Sequence, residues 1–410
     1  MFILAIIVSL LNSIAAFTLS AGQLIQPLPF TSVSPIQKSK SLFDLPLVEQ
    51  FAERHNLKQA HVKTLYSQLL RSGANGCGTS ALPTTDSSVL LDQLLQNGFP
   101  KTAAAHLLSQ FPIATCTLQS VHPSTSGGAK LVIKLANGLS IETVLIKHIS
   151  SSSKTRYTVC VSSQVGCARA CSFCATGTMG LLGNLSSGEI LEQLYHARLY
   201  LMERGIPLSS LKNVVFMGMG EPLDNFNAVV ESLRGMSHQT LFGLAPSKIT
   251  VSTVGGSPGM IRRLAECAPQ VNLALSLHGG TQELREKLIP SAKGTTMEEL
   301  GDALNFFNLK NGRGVMLEYL LIQNVNDEPS HAKSLADFAK DSYVNLIPYN
   351  PTIAGANFNF KTPSDERINQ FAKILKDSGV HSIVRWSSAG GRDTDGACGQ
   401  LLVEQVVIRK

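Results

Sequence analysis

Charged residues are scarce in this chain of 410 residues, at 16% Asp, Glu, Lys and Arg, while 44% of it is apolar. That balance excludes a disordered or fibrous chain and leaves room for one large domain plus a smaller accessory one. Cysteine is sparse too. The eight residues Cys77, Cys116, Cys160, Cys167, Cys171, Cys174, Cys267 and Cys398 are too few for a secreted disulfide scaffold of this length. The apolar run at the start falls short of the about 20 residues that a membrane-spanning helix needs, so no membrane partner is expected. Strong charge of one sign is also missing: 35 basic against 29 acidic residues give +6, which permits a polyanionic partner without demanding one.

The first forty residues contain no acid. No charged side chain precedes Lys38, and no acidic one precedes Asp44. Phe2 to Leu11 is almost wholly apolar and leads through Asn12 into the small-residue stretch Ser13-Ile14-Ala15-Ala16 before Phe17, the layout of a signal peptide's apolar core and cleavage site. Residues 17–40 are rich in Ser, Thr, Pro and Gln. Residues 1–40 are therefore expected to be a signal-plus-transit presequence, similar to the two-part plastid presequences of algae with complex plastids. The expected location is the plastid (chloroplast), with mitochondrion or cytoplasm as alternatives.

Residues 44–112 carry apolar positions at helical spacing, first Leu47, Phe51, Leu57, Val62, Leu65 and Leu69, then Leu90, Leu94, Leu95, Ala104, Leu107 and Leu108. They read as a small helical accessory domain. From Thr115 to Lys147 the period shifts to two, and Asn137-Gly138 between alternating runs marks a β-hairpin, taken as an extension over 113–150. Beyond it, strands are expected at Tyr157–Ser162, Val214–Met219, Lys248–Val254, Val271–His278, Val315–Ile322 and Val344–Pro348. Helices are expected between and after them at Ser187–Arg204, Asn225–Met236, Met260–Cys267, Met297–Lys310, Ser334–Lys340 and Ser364–Ser378. Six βα units in a row over 151–386 make an α/β fold with a parallel sheet. Informative residues recur at the carboxyl ends of the strands, which favours a complete or partial barrel over an open sheet. A C-terminal loop and tail fill 387–410.

Three cysteines crowd into Cys167-Ala-Arg-Ala-Cys171-Ser-Phe-Cys174, directly after the first strand of the core. A structural zinc site would show a second pair of ligands, and none exists. Three thiolates on a four-iron cluster leave one iron open to an exogenous ligand. This C-x3-C-x2-C spacing resembles the radical S-adenosylmethionine (SAM) enzymes. Cys160-Val-Ser-Ser-Gln-Val-Gly-Cys167, Gly218-Met-Gly-Glu-Pro222, Ser276-Leu-His278 and Ala397-Cys-Gly-Gln400 narrow the resemblance to the RlmN/Cfr family of radical-SAM RNA adenine methyltransferases, over about residues 90–405.

The resemblance implies a partial (βα)6 TIM-like barrel, a 4Fe-4S cluster on Cys167, Cys171 and Cys174, and two SAM molecules per turnover. One SAM would be cleaved to a 5′-deoxyadenosyl radical and the other would methylate a cysteine. Cys398 matches the methyl-carrying cysteine, Cys160 the cysteine that frees the product by forming a disulfide with Cys398, and Glu142 the general base. Gly220 and Glu221 match the edge that meets the SAM amino group, and Ser252, Ser276, Leu277, His278 and Asn350 the ring around its ribose and carboxylate. The implied substrate is C2 of adenosine in large-subunit rRNA, with tRNA as a second target. The alternatives are methylation at C8 within the same family and a non-catalytic RNA-binding or ribosome assembly factor that keeps its cluster. The implied partners are RNA and an electron donor such as ferredoxin or flavodoxin, with the enzyme a monomer. Leu181, Gly183, Gly390 and Thr394 depart from the family pattern at positions implied to touch RNA, with Arg392 close by.

Overall fold

The structure, a computed structural model, describes residues 40–70, 86–149, 154–386, 396–397 and 399–403. Nearly all of the expected presequence, Cys77, Cys398, Gly390, Arg392 and Thr394 lie outside the described residues.

Four helices come first: α1 (Leu45–Arg54), α2 (Gln59–Leu69), α3 (Ser87–Gln96) and α4 (Lys101–Gln110). Their apolar stripes are what they bury, including Val48 and Phe51, Val62 and Leu65, Leu90 and Leu94, and Ala104 and Leu107. Asp86 caps α3 by accepting from the Ser88 amide at 2.8 Å, an arrangement that contributes about 1 kcal/mol.

Next, β1 (Thr117–Pro123), β2 (Ala129–Lys134) and β3 (Ser140–Ile149) form an antiparallel meander. The β2–β3 turn behaves as its Asn-Gly foretells: Gly138 takes φ +86°, and Asn137 Oδ1 accepts from the Leu139 amide at 2.9 Å. Strand β4 (Thr155–Cys160) pairs antiparallel with β3 and begins the parallel part of the sheet. A short ribbon of β5 (Gln164–Gly166) and β6 (Leu181–Asn184) follows, with the one-turn helix α5 (Ala175–Thr178) between its strands.

The remaining strands alternate with helices. They are α6 (Ser187–Glu203), β7 (Leu211–Phe216), α7 (Phe226–Ser237), β8 (Ile249–Thr253), α8 (Pro258–Cys267), β9 (Asn272–Ser276), α9 (Gln282–Leu288) and α10 (Met297–Asn311). After these come β10 (Met316–Leu321), α11 (Pro329–Phe338), β11 (Tyr343–Pro348), α12 (Ile353–Ala356), α13 (Asp365–Asp377) and β12 (Ser382–Val384). One ten-stranded sheet runs β1-β2-β3-β4-β7-β8-β9-β10-β11-β12. All pairings from β4 to β12 are parallel. The end strands β1 and β12 do not pair with each other, so the barrel is partial and open on one side. The α/β fold with six core βα units is as expected.

Helices cover the parallel strands, so residues such as Leu317, Tyr319, Leu321, Val344 and Leu346 are wholly buried. Truncating one of these leucines to alanine costs about 2–5 kcal/mol. The helical region is joined to the core by the buried Asp44 carboxylate, which accepts from the Ser41 amide at 2.9 Å and the Gly188 amide of α6 at 3.1 Å.

Candidate active site at the strand ends

The loop that leaves β5 carries Cys167, Cys171 and Cys174. Ala170 turns it through φ +50°, a left-handed conformation that is uncommon for a residue with a Cβ. The Arg169 amide donates to Cys167 Sγ at 3.5 Å. Cys174 is the N-cap of α5, where the nearby amides of Thr176 and Gly177 favour its thiolate electrostatically. Burial raises the pKa of all three thiols above the ordinary cysteine value, Cys167 to about 12, and their mutual electrostatic repulsion adds to the rise at Cys171. As free side chains they are therefore thiols; a metal would convert them to thiolates.

Among the described residues, no three His, Cys, Asp or Glu side chains converge on a single metal-ion position. Three thiols on one loop that sense one another electrostatically are the soft donor set that an iron–sulfur cluster takes, each thiolate on a different iron. The N–H···S donor at Cys167 suits a thiolate ligand of that kind. Around the loop lies an apolar layer of Phe173, Leu284, Leu288, Leu320, Ile347 and Tyr349. Arg169 braces the loop from outside through a two-pronged ion pair with Asp224, with Nε to Oδ2 at 2.8 Å and Nη2 on Oδ1.

Beside the loop, Gly218-Met-Gly-Glu-Pro222 lies against Ser162–Gln164. The Gly218 amide donates to Val161 O at 3.1 Å, and the Ser163 amide to Met219 O at 2.9 Å. A Cβ at Gly220 would lie 2.5 Å from Gln164 Cβ on a backbone of φ +98°, so only glycine fits. The buried Glu221 carboxylate accepts from the Leu223 amide at 3.1 Å and the Val254 amide at 2.9 Å. It thereby links the ends of β7 and β8.

The other strand-end residues follow the sheet around. Ser252 is buried on β8, and Ser276 is half-buried at the end of β9. The Leu277 and His278 amides donate to Glu318 O at 3.0 and 3.3 Å. His278, at φ +57°, accepts from the Leu320 amide through Nδ1 at 3.0 Å, which assigns its proton to Nε2. Burial, helped by the Arg285 charge, lowers its pKa to about 3. Asn350 is buried, and its Nδ2 has no hydrogen-bond partner among the described residues. An unpartnered buried donor at this mouth fits a polar group of a bound cofactor. Ser163 Oγ, three residues beyond Cys160, likewise has no partner among the described residues.

Cys160 ends β4. It is buried, and burial pushes its thiol up to about 12, against a smaller opposing effect of the Met217 backbone. It lines a cavity of about 450 Å³ together with Met217, Glu318, Ile347, Arg385 and Trp386. Gly396 and Ala397, the neighbours of Cys398 on one side, line the same cavity. On the other side, Gly399 O accepts from the Ala175 amide at 2.8 Å and Leu401 O from Thr176 Oγ1 at 2.7 Å. The chain around Cys398 is thus fastened to the cysteine loop. Glu142 is buried, with Lys130 Nζ at 2.8 Å and the Leu402 amide donating to its Oε2 at 2.8 Å.

Lys130, Ser163, Arg285 and Glu318 were not singled out by the sequence reading. A signal existed for Lys130 alone: Val132 pairs with Glu142, so Lys130 falls diagonally opposite Glu142 on the hairpin. Arg285 is 1% exposed and donates to the carbonyls of Val254, Ser276 and Leu277. Leu181 and Gly183 are half-buried on β6. Cys116 is buried, as suits a structural cysteine, whereas Cys267 is exposed at the end of α8.

Three clustered thiols after the first strand of an open parallel barrel, with polar groups ringing its mouth, define a radical SAM enzyme, and residues 161–335 match the Radical SAM superfamily. Such enzymes use a 4Fe-4S cluster and SAM. Among solved structures the chain is similar to a radical SAM methyltransferase from Sphaerobacter thermophilus, with a TM-score of 0.76 and 35% identity over 88% of this chain and 99% of that one.

Relatives in sequence narrow the class. The chain is 39% identical over 304 residues to the dual-specificity RNA methyltransferase RlmN of Lawsonia intracellularis, covering 74% of this chain and 83% of that one. It is 41% identical over 281 residues to the ribosomal RNA large subunit methyltransferase N of Nitrosopumilus maritimus, covering 68% and 77%. With the probable dual-specificity RNA methyltransferase RlmN of Synechocystis it shares 42% over 293 residues, covering 71% and 78%. The chain belongs to the RlmN family of radical SAM RNA methyltransferases, and its substrate is RNA.

Proposed function

We propose that this enzyme methylates C2 of an adenosine in large-subunit ribosomal RNA, with an adenosine of transfer RNA as a second target, and that Cys398 carries the methyl group. The observation that supports this best is one cavity lined both by Cys160 and by the residues that flank Cys398. A space bordered by Cys160 and by the chain that flanks Cys398 suits a methyl group that is handed from thiol to base and then released by thiol attack.

Cys167, Cys171 and Cys174 would hold the 4Fe-4S cluster. Cluster and SAM, two molecules per turnover, supply when bound the radical chemistry and the methyl group that an unactivated ring carbon requires. Asn350 Nδ2 and His278 Nε2–H offer donors to SAM, the backbone of Gly220 offers an edge, and Ser252, Ser276 and Leu277 complete the ring. Glu221, with its carboxylate engaged by two amides, holds that edge in place. Glu142, oriented by Lys130 and the Leu402 amide, would take the proton released from the adenine, and Cys160 would attack the thioether at Cys398 to leave a disulfide. The target base would be flipped out of its stack to reach this depth. We further propose that the enzyme acts as a monomer and draws electrons from a ferredoxin or flavodoxin.

The test is mass spectrometry of nucleosides from RNA incubated with reconstituted enzyme, SAM and reductant. The expected product is 2-methyladenosine; 8-methyladenosine or no methylated base would refute the proposal. Cys398→Ala should abolish turnover while preserving the absorbance of the cluster, and Cys160→Ala should trap a protein–RNA adduct.

A further inference from the structure

Glu318 is a buried carboxyl group on the wall of the same cavity, outside the set of residues assigned to methyl transfer. It lies on β10, is 4% exposed, and lines the cavity that Cys160 shares with Gly396 and Ala397. Its backbone carbonyl is engaged by the Leu277 and His278 amides. Its carboxyl group has no hydrogen bond or ion pair among the described residues. The contrast with Glu142 is direct, since that carboxylate holds a lysine and an amide.

A buried carboxyl with no partner favours its neutral form. As an acid it offers one O–H donor beside one carbonyl acceptor. The Watson–Crick edge of adenine is the complement of that pair, with an acceptor at ring N1 and a donor at the exocyclic amine. We propose that Glu318 reads that edge of the target base, donating to N1 and accepting from the amine. The inference rests on the reading of the enzyme as an adenosine methyltransferase.

Other groups around the cavity are consistent with this assignment. Lys147 and His148 from β3, Cys160 from β4, and Arg385 beyond β12 line it, and Tyr343 at the start of β11 interacts electrostatically with Glu318. Only Arg385 pulls Glu318 toward the ionised form, and burial outweighs it, raising the carboxyl to about 7. The exposed Arg385 and Trp386 at the same cavity suit a phosphate and a neighbouring base, leaving the buried acid for the base edge.

The test uses RNA hairpins that carry adenosine, purine riboside or 1-deazaadenosine at the methylated position, bound to the cluster-loaded enzyme without reductant. Wild type should bind the adenosine hairpin at least about 10-fold more tightly than either analogue, and Glu318→Ala should bind all three alike. Glu318→Gln, which keeps the size and one donor beside one acceptor, should retain the preference at every pH. In wild type the preference should fade as pH rises through about 7. Cluster absorbance and the thermal midpoint identify any variant that is misfolded, and the glutamine variant then carries the comparison. Discrimination that survives in Glu318→Ala, or a loss confined to SAM affinity, would overturn the proposal. Wild type is first assayed for methyladenosine: if it makes none, the underlying reading falls and this one with it. Methylation accompanied by unaltered discrimination sinks only the role of Glu318.

Discussion

His278 couples the site to pH through a single side chain. Its imidazole titrates near 6.5 in an unfolded chain and near 3 when folded, because burial and the Arg285 charge oppose protonation. Between those values the unfolded state binds the additional proton, so the contribution to stability is complete above pH 6.5 and is lost as pH falls toward 3. By pH 5 the loss is about 2 kcal/mol. His278→Asn removes the titration while keeping an acceptor and a residue that tolerates φ +57°. Urea midpoints at pH 7.5 and pH 5 should therefore diverge more for wild type than for the variant, and equal divergence would refute the assignment. At this scale the sequence was partly legible. The three cysteines identify themselves by spacing, because sulfur ligands on one loop serve little else. Glu318 and Arg285 do not, because a lone charge on a strand or short helix ordinarily faces water. Their burial depends on which strands become neighbours, and spacing along the chain carries no record of that.

Elements with a strong period were readable, and the short ones were not. Helix α6 begins at the expected residue because Ser186 and Glu189 form a capping box, with the Glu189 amide on Ser186 Oγ at 3.1 Å and the Ser186 amide on Glu189 Oε2 at 2.8 Å. Helix α11 starts at Pro329, five residues before the expected Ser334, because proline fits the first turn of a helix as well as it breaks an interior one. The three-residue strands β5 and β12 are too brief to display alternation. Residues 396–397 and 399–403 have no regular structure, yet this part of the chain is bonded to α5, to Glu142 and, through Gln400 Nε2 at 3.0 Å, to Pro351 O. A chain ended at Asp395 would leave the Ala175 amide and Thr176 hydroxyl without these acceptors. Iron should then leave the reconstituted protein several-fold faster when a chelator is added, with little change in helical circular dichroism; an unchanged rate would sink the idea that this segment secures the cysteine loop.

For the whole molecule, charge says little and sheet order says more. Residues 1–40 hold two of the lysines and no acid, leaving +4 on the remainder, so recognition of RNA by shape and by a flipped base is favoured over bulk attraction. We propose the plastid as the compartment, on the acid-free start of the sequence. A reporter fused to residues 1–50 is expected in the plastid, and diffuse cytosolic signal would refute this. The order of the sheet places its open side between the hairpin strands and β12, and the cavity is lined from both. Arg285 ties the ends of β8 and β9 together within this frame. Its guanidinium stays charged until about pH 10 even though it is buried. The brace is therefore indifferent to acidity throughout the range in which His278 and Glu318 change state. Acidification can retune the chemistry inside the barrel without altering this clamp, so the pH response of the enzyme should be one of protonation alone, with the width of the mouth held constant.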